Sequence, residues 1–363
     1  MKCGIVGLPN VGKSTLFNCL SSAKAQAANF PFCTIEPNVG VIQVPDRRVE
    51  KLEELVKPEK VQTATVDIVD IAGLVRGASK GEGLGNQFLA NIRECNAILH
   101  VLRCFENENI THVDGDINPI RDKETIDIEL QLKDLEAVEK KIEKLKKIVR
   151  TGDKDAVKGV EVLEVFKNHL LSGKSARTAP VEAKHFSYVE DIHLLTTKPV
   201  MYICNVEEAA VKSGNKWVEK VQEMADEEGA EVLMLAVATE ADIADLEDYD
   251  EKQMFLDDLG LEEPGVNRLI QKAYKLLDLQ TYFTAGVKEV RAWTIKKGMT
   301  APQAAGVIHT DFEKGFIRAE VIKYEDFVDL GSEAACREKG KLNIEGKEYI
   351  VEDGDIMHFR FNV

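Results

Sequence analysis

Residues 7–14, GLPNVGKS, follow directly on the apolar run at residues 3–6, CGIV. They match the pattern G-x-x-x-x-G-K-S, in which the glycines let the backbone wrap closely around phosphate oxygens. The turn then enters a helix, whose N-terminal dipole favours an anion. A buried strand, a glycine-rich turn and a helix in this order predict a P-loop that binds nucleotide phosphates.

Within this segment, Lys13 is expected to reach the outer phosphates and the Ser14 hydroxyl to ligate Mg²⁺. Other residues of this segment and the start of its helix are also expected to bind the nucleotide, namely Asn10, Val11, Gly12 and Thr15.

The composition limits the class of protein. The chain has 363 residues and a formal net charge of −16, with 44% hydrophobic and 30% charged residues, as in soluble globular proteins. It has no apolar run of about 18 residues, so no membrane span is predicted. Its 7 cysteines are scattered and form no C-x-x-C pair, which indicates buried thiols in a reducing cytosol. A chain this acidic needs a local basic patch for any contact with RNA.

Strand-like apolar runs alternate with helical stretches along the first two thirds of the chain. Near-continuous apolar strands separated by helices predict an α/β fold with a mostly parallel sheet covered on both faces. After the first strand, these runs lie at residues 66–71, 97–102, 199–204 and 232–237.

One stretch has a different, helical periodicity. Apolar residues recur at three- and four-residue spacing on either side of a turn at residues 151–153, which predicts an antiparallel helical hairpin, or short coiled coil. We call residues 128–195, approximately, the arm; it is expected to be a docking element or simply two helices packed on the core. The apolar positions are Ile128, Leu132, Leu135, Val138, Ile142, Leu145, Val149, Val157, Val160, Leu163, Phe166 and Leu170.

From residue 279 onward the pattern changes to short strands and one short helix, at residues 301–309, which predicts a separate small mixed sheet. Residues 349–351 and 356–361 flank Asp353-Gly354, a turn signal that predicts a hairpin. This part of the chain carries 12 Lys and Arg and 14 Asp and Glu. The acidity of the chain is therefore concentrated in its first 278 residues.

A second motif, Asp70-Ile71-Ala72-Gly73, ends a predicted strand about sixty residues after the P-loop. An Asp here holds Mg²⁺ through water, and the Gly amide senses the γ-phosphate. The loop between the two motifs must offer a hydroxyl to Mg²⁺, and Thr34 is the first candidate, with Thr63 and Thr65 as alternatives.

Three longer segments extend the likeness to P-loop GTPases. Residues 28–38, ANFPFCTIEPN, residues 80–88, KGEGLGNQF, and residues 279–286, LQTYFTAG, resemble the YchF family of Obg-related NTPases over essentially the whole chain. The resemblance implies a Ras-like nucleotide domain at 1–278, interrupted by the arm, and an α+β TGS domain of ubiquitin-like β-grasp shape at 279–363. It also implies a cytosolic protein associated with ribosomes and with translation or stress control. We expect contacts with the large ribosomal subunit and with RNA through the arm and the TGS domain, and we expect a monomer.

The position that reads the base departs from the GTPase pattern N-K-x-D. Here the fifth strand leads into Asn205-Val206-Glu207-Glu208, so that Val206 replaces the Lys and Glu208 the Asp. Val206 lacks the long stem that covers the base, and Glu208 is one methylene too long for the two-point clamp on guanine. A site that does not demand two donors stops rejecting adenine. The sequence therefore favours ATP over GTP, as the family resemblance also implies.

The residue that would orient the attacking water is also unusual. Many GTPases place a Gln after the D-x-x-G motif, whereas this chain has Leu74, so slow hydrolysis is expected. The resemblance to NTPases with an apolar residue here suggests that Asn10 coordinates K⁺ and that His112 is catalytic. A turn-forming role for Asn10, an exposed loop position for His112, and charge neutralisation by Arg76 are the alternatives.

Two function classes remain open. The first is a slow ATP switch, and the second is a binding module that uses ATP as a structural ligand with incidental hydrolysis. A metabolic kinase is a weaker third class, because it needs an acceptor pocket and basic lid residues that nothing in the chain indicates.

Overall fold

The protein is described by a computed structural model covering residues 1–25, 39–71, 84–110, 115–246 and 248–362. In these ranges no helix combines the length and the apolar character needed to cross a membrane.

The strands agree in position with most of the predicted apolar runs. They are β1 Lys2–Val6, β2 Val39–Gln43, β3 Val61–Gln62, β4 Thr65–Asp70, β5 Ala97–Arg103, β6 Val200–Asn205, β7 Glu231–Leu235, β8 Leu279–Ala285, β9 Val290–Lys296, β10 Phe316–Ile322, β11 Asn343–Glu345 and β12 Ile356–Phe361.

The helices connect and cover these strands. They are α1 Lys13–Ala25, α2 Arg47–Val56, α3 Leu84–Glu94, α4 Pro119–Val149, α5 Lys154–Leu171, α6 Ser187–Glu190, α7 Lys216–Glu228, α8 Val237–Asp245, α9 Tyr249–Leu259, α10 Gly265–Leu276, α11 Ala301–Ile308, α12 Thr310–Lys314, α13 Tyr324–Leu330 and α14 Glu333–Glu338.

The chain forms two compact units that do not follow one another simply in sequence. The first comprises residues 1–40 and 67–269, and the second comprises residues 41–66 and 270–363. The sequence places residues 41–66 inside the nucleotide domain, whereas in the structure β3 from this segment pairs in parallel with β9 of the second unit.

The predicted parallel sheet belongs mainly to the first unit, although most residues of its edge strand β2 fall in the segment 41–66. The strand order is β2-β4-β1-β5-β6-β7, and the pairs from β4 to β7 are parallel. Because β5 and β6 are buried along their whole length, their sequences are nearly continuously apolar rather than alternating, with His100, Arg103 and Asn205 as the polar exceptions. Parallel strands also bring their carboxyl ends to one edge, where loops gather to bind ligands.

The second unit has a sheet of order β11-β10-β12-β8-β9-β3, and residues of α11 belong to its hydrophobic core. This mixed sheet with a helix across it confirms the predicted C-terminal fold. The predicted hairpin is wrong, however, because β12 pairs antiparallel with β10 and parallel with β8. Residues 349–351 form no strand, and the Asp353 carboxylate instead accepts a hydrogen bond of 2.9 Å from the backbone N–H of Thr281.

The arm is confirmed as a helical hairpin of α4 and α5, and α4 begins nine residues earlier than the apolar pattern suggests. Asn118 caps α4 and Pro119 occupies its first turn, while Asp153 caps α5 after the turn at Gly152. The predicted apolar stripe is only partly buried. Its buried members are Val138, Ile142, Leu163, Phe166 and Leu170, whereas Ile128, Leu132 and Val157 are exposed.

A buried carboxylate fixes the chain where it returns from the arm. Asp134 of α4 accepts hydrogen bonds from the backbone N–H groups of Leu195 and Thr196, at 2.7 and 2.8 Å, and from the Thr196 hydroxyl at 2.6 Å. A charge-bearing hydrogen bond of this kind is stronger than a neutral one. These bonds therefore fix the end of the arm, at residues 195 and 196, to α4.

A polar cluster lies where the start of α4 packs on β5 and β6. Tyr202 donates to Glu228 at 2.8 Å, and Lys123 forms ion pairs with both Glu228 and Asp127. Burial is the largest single effect on Glu228 and opposes its charged form, but the hydrogen bonds from Lys123 and Tyr202 and the nearby positive charges together outweigh it and lower the pKa of the carboxyl. His100 is buried beside Tyr202, and burial, helped by nearby positive charges, lowers its pKa to about 3.

We expect His100 to make stability depend on pH. Below its ordinary pKa of 6.5 the unfolded chain takes up a proton that the folded protein refuses, so stability is full above pH 6.5 and falls toward pH 3. Between pH 7 and pH 5, His100 should therefore lower the free energy of unfolding by about 2 kcal/mol. Urea unfolding measured at both pH values should show that the unfolding free energy of His100→Phe falls less between them than that of the wild type, by about this amount. The same substitution at the exposed His358 is the control, and an undiminished loss in His100→Phe would contradict this account.

Candidate nucleotide-binding site

The P-loop leaves the carboxyl end of β1 and enters α1, as predicted. Two of its residues have positive φ angles, Asn10 at 64° and Gly12 at 97°. Asn tolerates the left-handed region better than most residues, because its short amide bonds locally. The backbone of Asn10 thus agrees with a turn-forming role, and its predicted K⁺ contact stays a prediction.

Both glycines lie where a side chain would collide with a neighbour. A Cβ on Gly7 would lie 2.8 Å from the carbonyl oxygen of Val101 on β5, and one on Gly12 would collide with the amide nitrogen of Asn205. The loop is therefore pressed against the ends of β5 and β6. This close packing presents its backbone N–H groups at the carboxyl edge of the sheet.

Lys13 and Asp70 meet at this edge. Lys13 begins α1 and Asp70 ends β4, and their side chains form an ion pair and are only 10% and 17% exposed. Asp70 lies level with Ile5 of β1, so the two motifs, 57 residues apart in sequence, are adjacent in space. Ser14 and Thr15 follow in the first turn of α1 with exposed side chains.

Asn205 has a role that the sequence did not predict. Its side-chain N–H donates to the Val11 carbonyl at 2.9 Å, and its amide oxygen accepts from the backbone N–H of Val237 at 3.1 Å. The residue is 5% exposed. Asn205 thus ties the P-loop to the start of α8, and both polar ends of its side chain are engaged within the protein.

The next residues of this motif differ in exposure. Val206 is 4% exposed and continues the β6–β7 pairing through a bond of 2.9 Å from its N–H to the Leu235 carbonyl. Glu208 is exposed, and its carboxylate accepts a hydrogen bond of 3.1 Å from the buried hydroxyl of Thr239. Thr239 therefore orients Glu208. Sequence analysis missed it, because a Thr inside a helix of ordinary composition carries no signal.

Arg103 at the end of β5 is a second residue that was missed. It is 2% exposed, and its guanidinium donates to the carbonyl oxygens of Phe105, Asn107 and Ile110 at 3.2, 3.2 and 2.9 Å. These three bonds give the segment before residue 111 a defined path. A buried Arg that bonds only backbone carbonyls has no sequence signature beyond its place in an apolar strand.

Several predicted residues lie outside the described ranges. They are Thr34, Gly73, Leu74, Arg76 and His112. The alternatives to Thr34, which are Thr63 and Thr65, belong to the second unit.

The donor set at the P-loop suits Mg²⁺ bound together with a nucleotide. Ser14 and Asp70 offer a hydroxyl and a carboxylate, the oxygen ligands that this ion takes alongside phosphates and water. Among the described residues, no three or more His, Cys, Asp or Glu side chains gather to hold a metal.

Comparison with known proteins extends these observations to the whole chain. A family model described as a 50S ribosome-binding GTPase matches residues 2–148, and a YchF-GTPase C-terminal model, described as a protein of unknown function, matches residues 279–362. The "Ribosome-binding ATPase YchF" of Pasteurella multocida is 58% identical over 362 residues, covering 100% of this chain and 99% of its own. That of Bacillus subtilis is 54% identical over 365 residues and covers 100% of both chains.

A solved structure agrees with this result. The YchF GTPase of Schizosaccharomyces pombe superposes with a TM-score of 0.90 at 39% identity, covering 99% of this chain and 97% of that one.

Proposed function

The chain belongs to the YchF family of Obg-related P-loop NTPases, and we propose that it is a slow ATPase acting as a Mg²⁺-dependent switch on the ribosome. The observation that carries the proposal is the paired Lys13 and Asp70 beneath a P-loop tethered by Asn205. Relatives named ribosome-binding ATPases support the partner and the nucleotide.

Nucleotide binding would exchange the partners of this ion pair. The triphosphate takes the Lys13 ammonium, which frees Asp70 to hold Mg²⁺ through water, while Ser14 and Thr34 offer hydroxyls to the ion. The P-loop amides, the Gly73 amide and Lys13 then surround the phosphates, with Asn10, Val11, Gly12 and Thr15 completing the loop. When bound, Mg²⁺ would supply positive charge to the phosphates. Hydrolysis removes the γ-phosphate, and the loops around Thr34 and Asp70 relax.

We propose that adenine is preferred over guanine. Asn205 is engaged with Val11 and Val237, which leaves one N–H and one lone pair of its buried amide for the base. Glu208 is drawn toward Thr239, and the buried Val206 offers no stem to lie across the ring. A pocket in which no carboxylate is held in place to accept two hydrogen bonds from guanine gives guanine no advantage over adenine.

Competition binding tests this preference. ATP and GTP should be titrated against one fluorescent adenine nucleotide, with Mg²⁺ present, and ATP should compete at least tenfold better, a difference of about 1.4 kcal/mol. Thr239→Val, which keeps the shape and removes the hydroxyl, should change the ratio of the two affinities without abolishing binding. A marked preference of the wild type for GTP would refute the proposal and make the protein a GTPase.

The means of activating water stays a proposal with three parts. His112 is the candidate catalytic residue, Arg76 is an alternative source of positive charge, and K⁺ bound by Asn10 would act on the charge that develops between the β- and γ-phosphates. Turnover in K⁺ and in Na⁺, measured for wild type, His112→Ala and Asn10→Ala, separates these roles. Equal rates in all six measurements would remove both residues from the mechanism.

A second candidate function is an ATP-gated binding module with incidental hydrolysis. Leu74 favours it, because its side chain cannot orient water. A rate that rises with K⁺ or with ribosomes supports the switch, whereas a rate that stays negligible under all conditions supports the module.

In this proposal the nucleotide domain is residues 1–278, interrupted by the arm, and the TGS domain is residues 279–363. The arm and the TGS domain would contact the large ribosomal subunit and its RNA, and these contacts would depend on which nucleotide is bound. The protein would act as a monomer in the cytosol.

A further inference from the structure

Residues 195–198 connect the arm to β6, and we call them the junction. Two backbone N–H groups of the junction donate to Asp134 of α4, as described above. From the segment after α5, the Ala176 N–H donates to the Thr196 hydroxyl at 2.9 Å, and the Arg177 guanidinium donates to the Thr196 carbonyl at 3.1 Å. The junction is therefore held by the arm from two directions.

The last residue of the junction, Lys198, extends these contacts to α3. Its ammonium donates to the carbonyl oxygens of Arg93, at 3.1 Å, and of Cys95, at the C-terminal end of that helix. Carbonyls at a helix C-terminus have no partner within the helix, and the helix dipole favours a cation there. Burial lowers the pKa of Lys198, and the negative charge of Asp134 is among the effects that oppose this shift. Lys198 thus interacts with both α3 and α4.

The helix α3 lies between the nucleotide site and the junction in the order of the chain. It is the first described element after β4, which ends at Asp70. Three of its side chains, Phe88, Leu89 and Ile92, are 4%, 3% and 0% exposed. A helix packed in this way moves as a rigid body, so a shift that begins at its N-terminus also displaces the carbonyls that Lys198 holds.

We propose that Lys198 couples the nucleotide site to the arm, an inference that rests on the proposed function and specifies its regulation. When the triphosphate binds, Asp70 changes its partner and α3 shifts with the chain that follows. The hydrogen bonds from Lys198 transfer this shift to the junction, and Asp134 transfers it to α4. The arm then takes a different position with ATP than with ADP, which is a coupling through one continuous set of bonded elements.

Lys198 acts in this account as a positioning residue, because it lies far from the chemistry. It precedes β6, whereas Asn205 ends that strand beside the P-loop. The seven residues between them span about 23 Å of extended chain. A change at Lys198 should therefore leave ATP turnover in the absence of ribosomes close to the wild-type rate, so that coupling and catalysis can be measured separately in the full chain.

Hydrogen exchange tests the coupling without a ribosome. The probes are the backbone N–H groups of Ala176, Leu195 and Thr196, followed by mass spectrometry on the peptides that contain them. In the wild type, their exchange rates should differ at least fivefold between ADP and a non-hydrolysable ATP analogue, both with Mg²⁺, as for a typical coupling between two sites. Lys198→Met keeps the aliphatic stem and removes the donor, so its two rates should agree within about twofold.

The matched control is Lys141→Met, which removes an ammonium whose partners lie within the arm. Lys141 donates to the Tyr188 carbonyl at 2.7 Å and pairs with Asp191. This control should keep the difference between the two nucleotides, as should Lys198→Arg, which retains the charge and the N–H donors. A difference that survives in Lys198→Met overturns the proposal, as does an equal loss in Lys141→Met or a wild type without any difference.

A double-mutant cycle tests whether Lys198 and Asp134 belong to one linkage. Asp134→Asn removes the charge and one acceptor on the side of the arm, so it should also reduce the difference between the nucleotides. Lys198→Met/Asp134→Asn should reduce it no further than Lys198→Met alone, because residues in one network are not additive. Reductions that simply add would show two independent paths and overturn the proposal.

Ribosome co-sedimentation measures the consequence for the partner. Wild-type affinity for ribosomes should differ at least fivefold between the ATP analogue and ADP, and in Lys198→Met the two affinities should agree within about twofold. Full nucleotide dependence of ribosome binding in Lys198→Met overturns the proposal. Failure of the proposed function differs, since the wild type then lacks ATP turnover or binds no ribosomes with either nucleotide, whereas hydrogen exchange still measures the coupling.

Discussion

Replacing Lys13 by Met is expected to lower ATP turnover by about 10²–10³-fold, the usual effect of removing one group that stabilises developing charge. Lys13 is the cation that pairs with Asp70 at the carboxyl edge of the sheet, and the triphosphate would take it over. Met keeps most of the length and volume of the Lys stem, so the fold around α1 should survive. Steady-state phosphate release, with ATP and Mg²⁺ saturating, measures the change.

The matched control is Lys2→Met, which makes the same chemical change at the other end of β1. Lys2 is half-exposed and 3.9 Å from Glu94, so its loss should leave turnover within about twofold of wild type, as for an exposed pair worth under 1 kcal/mol. If Lys13→Met also turns over ATP at the wild-type rate, the P-loop is not the site of hydrolysis.

Gly12→Ala is expected to lower both ATP affinity and stability. The residue has a φ of 97°, which costs an L-residue about 1–2 kcal/mol, and the new methyl would collide with the side chain of Asn205. Displacing Asn205 breaks its two buried hydrogen bonds, so the total loss of unfolding free energy should be roughly 2–4 kcal/mol. Because the P-loop itself moves, ATP affinity should fall at least tenfold. Urea unfolding and nucleotide titration provide the two readouts.

Gly152→Ala separates backbone strain from collision. Gly152, in the turn of the arm, has a φ of 84°, but nothing lies within 4 Å of a Cβ placed there. This variant should lose only about 1 kcal/mol, the strain alone, and keep wild-type ATP affinity. Equal losses of stability in the two variants would show that Gly12 is not in contact with Asn205.

Much of the first unit could be predicted from its sequence, because local pattern and burial agree there. The strands β5 and β6 are buried on both faces and therefore have nearly continuous apolar sequences. Pairing between distant segments was harder to foresee. The turn at Asp353-Gly354 exists, but β12 pairs with β8 and β10, whose positions no local signal near residue 354 reveals. In the arm, Ile128 and Leu132 fit the helical repeat yet stay exposed.

The candidate site shows the same division. The proximity of the P-loop and Asp70 could be predicted from sequence spacing alone, since a strand end and a glycine-rich turn have fixed places in this kind of sheet. The partners of each side chain could not be read in this way. That Asn205 bonds Val11 depends on how the P-loop lies against the end of β6, and that Thr239 bonds Glu208 depends on how α8 lies beside the residues after β6. Such contacts are set by tertiary packing, which a single sequence does not encode locally.

Residues 41–66, which come early in the sequence but belong to the second unit, also determine the order in which the protein folds during synthesis. Residue Val61 of β3 emerges early, but its partner Val290 on β9 is made more than two hundred residues later. Until then the edge of β3 has no sheet to join, and closing so long a loop slows folding. The second unit therefore cannot mature as an appended module, and a cut between residues 278 and 279 would leave part of its chain behind.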